Sequence, residues 1–515
     1  MTVVAPGHKP QQLLLIAAEN AALPGGKVGG MGDVIRDVPR ALAALGHEVV
    51  VLVPGYQHFS RLPGATLDAL IEVAFRNGTE HVELWSLPTA PVHAGLRYKV
   101  LEHPLLAPCG PGRIYCDDGP ERPFATDASK FALFCAATAS ALRDGILTRP
   151  DRVHLHDWHT ALVPVLARFE PMYTALSDLY FVYTIHNLAL QGVRPLRGDE
   201  SALEAWFPHL RYDYAFIGDP RYPDCFNPMR AGIRLCRKVH AVSPTYAEEI
   251  QGHAGEGLAD DLRQAHQEGR LEGILNGCDY SVPTQAPADF TSLLAVIRAE
   301  LESSQCGITD KAQVKAKLDK WRRRKRPSML MTSVGRLTDQ KVRLLRMPAD
   351  DGRSVLEHLL DRLGRRGLLV MLGSGDPELE AFFAEMSSRS DNFIFLCGFS
   401  EPLSETLYAG GDLFLMPSSF EPCGISQMLA MRAGQPCLVH AVGGLADTVR
   451  DGVNGFAFTG ANEVEQAAGL LQCFEHVMAL RTTDPAAWER IRKAASAARF
   501  GWAEVARAYD ARLYH

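Results

Sequence analysis

MPSSFEPCG, residues 416–424, stands between an apolar run, DLFLMP, and a helical pattern, SQMLAMRAG. A short apolar run, a turn and a helix put Glu421 at the carboxyl end of a strand, just ahead of the amides that open a helix. In an open α/β sheet, ligands bind at that edge, and helix N-termini attract phosphate. Glu421 can accept hydrogen bonds from sugar hydroxyls while the N–H groups of Gly424, Ile425 and Ser426 meet a diphosphate. That pairing suits a nucleotide-sugar better than a plain dinucleotide. The alternative is a buried turn with a capping glutamate.

The same strand-then-helix rhythm extends in both directions, the pattern of parallel sheets with crossover helices. Strand candidates in the second half are MLMTSVG, LLVMLGSG, NFIFLCG, DLFLMPS and PCLVHA; in the first half they are LLLIAA, HEVVVLVP, RVHLH, FVYTIH and KVHAVS. Each set is large enough for its own doubly wound sheet. Between them YSVPTQAPAD, residues 280–289, is rich in Pro and poor in periodic signal, and the domain boundary is expected there. The helix-like segment 502–514 is compatible with either domain.

Composition agrees with two or more domains. A chain of 515 residues with 47% hydrophobic content can bury two sizeable cores. A net charge of −7 gives no reason to expect nucleic acid or an acidic membrane surface as a partner. The eleven cysteines are scattered without metal-type spacing, which reads as reduced thiols in the cytoplasm. The N-terminus has an apolar run too short for a leader or a membrane span. WRRRKR, residues 321–326, reads as a solvated helix end leading into the strand at Met329.

Several loops carry candidate chemistry. GGKVGGMGD, residues 25–33, follows the first strand and offers Lys27 beside the Gly29–Gly30 turn, where backbone can approach a ligand closely. It matches neither GxGxxG nor the P-loop, which weakens dehydrogenase and ATPase readings. In VGRLTDQK, Arg336 ends a strand and Lys341 follows five residues later. Two cations at a sheet edge can embrace a pyrophosphate and stabilise a departing nucleoside diphosphate. VHLHDWH places His154 and His156 on one strand face, but no carboxylate or thiolate set completes a metal shell. Asp157 is the better candidate, as a ligand for sugar hydroxyls, and His186 in YTIHN ends a strand at the same edge.

Taken together, KVGGMGDV, LHDWHTAL, YTIHNLALQG, VHAVSPTYAEEI, GILNGCD, GRLTDQK, LGSGDPELE, SSFEPCGISQ and GGLADTV resemble the bacterial glycogen synthases and plant starch synthases of glycosyltransferase family 5. They occur in the family's order and cover most of the chain. The resemblance implies an α/β GT-B fold: two Rossmann-like doubly wound domains with an interdomain active-site cleft. It implies an N-terminal acceptor-side domain over residues 1–280, a nucleotide-sugar-binding domain over 281–495, and a C-terminal helix, 496–515, crossing back to the first domain.

It further implies a retaining transfer of glucose from ADP-glucose to the non-reducing end of an α-1,4-glucan, with no metal and no cofactor. Lys27, Gly29 and Gly30 would lie near the donor phosphates, and Arg336 with Lys341 would hold the diphosphate. Asp157 and His186 would contact the transferred glucose, Asn276 would hydrogen-bond within the sugar site, and Phe399 would stack on adenine. Glu421 would bind glucose hydroxyls beside the amides of Cys423, Gly424, Ile425 and Ser426, and Glu19 corresponds to an acceptor-side glutamate. The chain departs from the family at Val342 (a glycine there), at Ser419 (an arginine), and in a short segment between Tyr115 and Asp127. Those departures leave open a UDP-glucose donor, a small sugar acceptor or a non-catalytic glucan-binding relative.

Overall fold

Parallel strands buried on both faces need near-continuous apolar runs, and the ten runs named above all form such strands. The computed structural model describes residues 9–89, 94–281, 287, 289–303, 307–349 and 351–515. Two compact units emerge, one comprising the chain up to Gly277 together with Trp502–His515, the other Cys278–Gly501. Residues 282–286 and 288 of the Pro-rich boundary stretch, and the first eight residues of the chain, lie outside the described residues.

In the first unit, Gln12–Ile16 runs parallel between Glu48–Pro54 and Arg152–His156. Beyond Arg152–His156 come Phe181–Ile185, Lys238–Ala241 and Leu271–Gly273, again parallel. On the other side Leu96–Glu102 follows Glu48–Pro54, and an antiparallel hairpin of Gly78–Leu87 and Thr66–Phe75 completes nine strands. The chain reverses direction across the sheet between Gln12–Ile16 and Arg152–His156. Loops leaving their carboxyl ends therefore open a crevice, the usual ligand position in such sheets.

The second unit orders its six parallel strands Phe393–Cys397, Leu368–Gly373, Leu330–Val334, Leu413–Met416, Cys437–His440, Phe456–Phe458. Numbered along the chain this is 3-2-1-4-5-6, the Rossmann order. Its switch point lies between Leu330–Val334 and Leu413–Met416, which places the Arg336 and Glu421 loops side by side.

The last helix, Trp502–Leu513, packs in the first unit's core: Tyr509, Leu513 and Tyr514 are fully buried in a cluster with Val34, Ile35 and Val38 of helix Gly30–Ala44. Val342, where the family has glycine, is buried in the second unit's core with Leu345, Leu356 and Leu359. The larger side chain is thus used for packing. The basic run ends helix Lys311–Arg322: Trp321 is buried and Arg322–Arg326 are exposed, Arg326 pairing with Asp412 at 2.7 Å.

One expectation is corrected. Cys109 and Cys116 are joined in a disulfide, so the thiols are not all free. A seven-residue separation carries no signal in a chain with scattered cysteines; only the fold reveals the pairing. Eight other cysteines are unbridged, and Cys306 lies outside the described residues. None of the described helices is long and apolar enough to cross a membrane.

Candidate active site

The glycine-rich loop of the first unit is organised by a buried carboxylate. Glu19, three residues beyond Gln12–Ile16, accepts hydrogen bonds from the Val28 and Gly29 amides (2.8 and 2.7 Å) through one oxygen and from the Tyr115 hydroxyl (2.8 Å) through the other. Glu19 is buried, whereas Lys27 is half-exposed and pairs with Asp33 at 2.6 Å. A Cβ on Gly32 would stand 3.2 Å from Glu19 Oε2, so the small residues here let the loop close over its anchor. Tyr115 was not singled out from the sequence, because nothing local marks a tyrosine as the partner of a residue 96 positions away. Its segment is itself pinned: Cys116 N–H donates to Asp127, which pairs with the buried Lys130 at 2.6 Å.

Asp157 begins the loop after Arg152–His156 with φ +55 and ψ −177, a backbone region rarely adopted by residues other than glycine and often found at functional sites. Its Oδ1 accepts the His186 amide at 2.7 Å, so the two sugar-site candidates are brought together. Burial pushes the Asp157 carboxyl up to about 8, although the His186 and Asn187 amides favour the carboxylate. Burial also holds His186 down at about 3, so its ring is neutral.

Behind them runs a directed histidine chain. The Ile274 carbonyl can only accept, so His240 Nε2 carries the proton between them (3.0 Å). His240 Nδ1 then accepts from Thr184 Oγ1 (2.9 Å), which accepts from His154 Nε2 (2.6 Å), and Tyr514 donates to His154 Nδ1 (2.7 Å). His154 stacks on His156 with ring centroids 4.4 Å apart, and His156 Nδ1 lies 3.0 Å from His186 Nε2. Both His154 nitrogens are therefore committed within the protein. Asn276 is buried nearby in sequence to this chain; its N–H donates to Val242 and its Oδ1 has no partner among the described residues.

In the second unit, Lys341 of helix Asp339–Arg346 pairs with Glu421, and Ser418 Oγ donates to the same carboxylate oxygen. The Ser419 amide donates to the Gln340 carbonyl (2.8 Å), stapling the two switch-point loops at adjacent positions. Arg336 is exposed and has no ion-pair partner among the described residues. Ser419 Oγ, at the family's arginine position, also lacks a partner there. The GGLADTV motif proves to be the wall behind Glu421. Gly443 has φ +44, and a Cβ on it would fall 2.0 Å from the Glu421 carbonyl oxygen; a Cβ on Gly444 would fall 2.3 Å from that of Cys423. Cys423 is buried, while Gly424, Ile425 and Ser426 lead into the seven-residue helix Ser426–Arg432. Phe399, after Phe393–Cys397, is 72% exposed, an uncommon position for a large apolar ring. Arg336, Lys341 and Glu421 thus share one sheet edge with the Cys423–Ser426 turn, and Phe399 follows a strand of the same sheet.

Two Rossmann-like sheets, each with polar and charged groups at its switch point, are the architecture expected of a GT-B glycosyltransferase. Comparison with known proteins narrows the class. Residues 12–264 match the family model for the starch synthase catalytic domain, and residues 332–476 that for glycosyl transferases group 1. The chain is 36% identical over 514 residues to a glycogen synthase of Anaeromyxobacter sp. (strain Fw109-5), covering 97% of this chain and 98% of that one. It is 33% identical over 516 residues to a glycogen synthase of Dechloromonas aromatica, covering 97% of each. Its structure resembles the catalytic domain of starch synthase IV from Arabidopsis thaliana bound to ADP and acarbose, with a TM-score of 0.77 at 26% identity, covering 98% of this chain and 99% of that one. The chain belongs to the glycogen synthase family. Its activity is glycogen (starch) synthesis, glycosyl transfer from a nucleotide-sugar to a glucan.

Proposed function

We propose that the donor is ADP-glucose and that the enzyme adds glucose with retention, through an α-1,4 bond, to the non-reducing end of a glucan. The observation that carries this reading is the switch-point cluster of the second unit, where Lys341 is held against Glu421 while Arg336 stands exposed. Positive charge for a diphosphate and a carboxylate for sugar hydroxyls are then neighbours on one sheet edge. Arg336 and Lys341 stabilise the leaving ADP, with the amides of Cys423, Gly424, Ile425 and Ser426 beside it. Lys27, Gly29 and Gly30 are the further phosphate-binding candidates. Glu421, Asp157, His186 and Asn276 hold the glucose, Phe399 stacks on adenine, and Glu19 acts indirectly by holding the glycine loop.

The bond from glucose C1 to the diphosphate oxygen breaks as the bond from C1 to the acceptor hydroxyl oxygen forms. The hydroxyl proton passes to the departing diphosphate. With charge met by Arg336 and Lys341, the reaction calls on no metal and no cofactor. The test is label transfer from radiolabelled ADP-glucose or UDP-glucose to glycogen by purified protein. Transfer is expected from ADP-glucose, with preference over UDP-glucose diminished in Phe399→Ala. Equal use of both donors by the parent would refute the adenine assignment.

A further inference from the structure

The buried Nε2 of His156 fixes the direction of a hydrogen bond that distance alone leaves open. His156 Nδ1 and His186 Nε2 are 3.0 Å apart, so one ring donates and the other accepts. A neutral imidazole carries a single N–H. If His156 accepted at Nδ1, its proton would sit on Nε2, which is buried without a hydrogen-bond partner among the described residues. A donor sealed from water forfeits its hydration, and orphaned buried N–H groups are rarer than orphaned acceptors. With the proton on Nδ1, the donor is used and only a lone pair is left. His154 offers no escape, since both its nitrogens are engaged and its ring meets His156 face to face, 19° from parallel.

We propose that His156 is a positioning residue for glucosyl transfer: its Nδ1–H donates to His186 Nε2 and locks His186 in the Nδ1–H tautomer. His186 then meets the sugar as a hydrogen-bond donor and not as a base. The consequence for transfer rests on the reading that His186 contacts the transferred glucose; the tautomer does not. A donor on a neutral ring favours a sugar oxygen that gathers electron density, and it takes no proton from the acceptor hydroxyl. The directed chain from Ile274 to Tyr514 holds the stacked partner His154 in place, so the lock is supported from beneath.

The direct test is long-range proton–nitrogen NMR of the full chain labelled with 15N-histidine, His186 being identified by its absence from the spectrum of His186→Gln. The expected pattern for His186 is a pyrrole-like Nδ1 and a pyridine-like Nε2. The reverse pattern overturns the proposal and needs no variant of His156 to fold. Kinetics supply the second arm. His156→Leu should lower kcat about tenfold, the scale of one lost hydrogen bond, with KM for the donor within about twofold. His156→Asn, which places an amide donor where Nδ1 stands, should recover most of that loss. Parent-like kcat in His156→Leu, or equal losses in both variants, would also overturn it. Parent-like turnover in His186→Ala would instead remove His186 from the sugar site while leaving the NMR result intact.

Discussion

At the scale of single residues, the ion pair between Lys341 and Glu421 is the contact on which the proposed function leans most. Under the proposed function, replacing Lys341 with Ala takes a charge away from the diphosphate, and it leaves Glu421 buried without its cation. Turnover is expected to fall at least about a hundredfold, the usual cost of one lost electrostatic stabiliser, with the fold retained. Near-parental turnover would take Lys341 out of the donor site. The histidines make a second prediction. Burial holds His154, His156 and His159 well below the ordinary histidine range, His186 at about 3 and His240 at about 4. Unfolded, each titrates near 6.5, so the stability of their neutral forms is whole above that pH and is lost as pH falls toward the folded values. Asp157 acts oppositely: between about 3.9 and its folded value the native state keeps a proton that the unfolded chain has shed, so stability falls as pH rises. Each group weighs about 1.4 kcal/mol per pH unit, so five histidines outweigh one aspartate below pH 6.5. Urea midpoints should therefore drop between pH 7 and pH 5, and drop further in Asp157→Asn. Equal midpoints at the two pH values would contradict this.

Among the elements, what the sequence made legible and what it hid have different physical causes. Strands buried on both faces announced themselves as apolar runs. The hairpin Thr66–Phe75 with Gly78–Leu87 did not, because it lies at the sheet edge with much of one face exposed and its apolar content diluted. The placement of Arg336, Lys341 and Glu421 at one sheet edge was readable because each follows a strand of a doubly wound sheet. Tyr115, Lys130 and the Cys109–Cys116 bridge were not, since each depends on a contact that only the folded chain creates. The two glycines of GGLADTV were visible as a motif, yet their purpose is steric and appears only against the Glu421 turn. Gly443→Ala should force that turn outward and cut turnover at least about tenfold, since small misplacements of catalytic groups are costly. Gly452→Ala shares the left-handed backbone (φ +65) but meets open space, and should keep turnover within about twofold of the parent. Similar losses in both variants would show backbone strain, and not the clash with Glu421, to be the cause.

For the whole molecule, the terminal helix matters out of proportion to its length. Trp502, Tyr509, Leu513 and Tyr514 are buried in the first unit's core, and Tyr514 also ends the histidine chain. Losing several large core side chains at about 3–5 kcal/mol each exceeds what a typical domain can spare. A chain ending at Gly501 should lose the cooperative thermal transition of the first unit, followed by calorimetry. A parent-like transition would mean that the helix is dispensable. The order 3-2-1-4-5-6 in the second sheet and the direction reversal in the first set which loops can carry chemistry, and the sequence could not supply strand order. The family resemblance could, and the fold agrees with it.

Stereochemistry tests the proposed retaining α-1,4 transfer from ADP-glucose most directly. Purified enzyme would be supplied with ADP-glucose carrying 13C at the anomeric carbon and a short maltosaccharide, and the anomeric signals followed by NMR. The donor signal should give way to a single new α-1,4 signal at the non-reducing end. No transfer from ADP-glucose, or a β-linked product, would contradict the account.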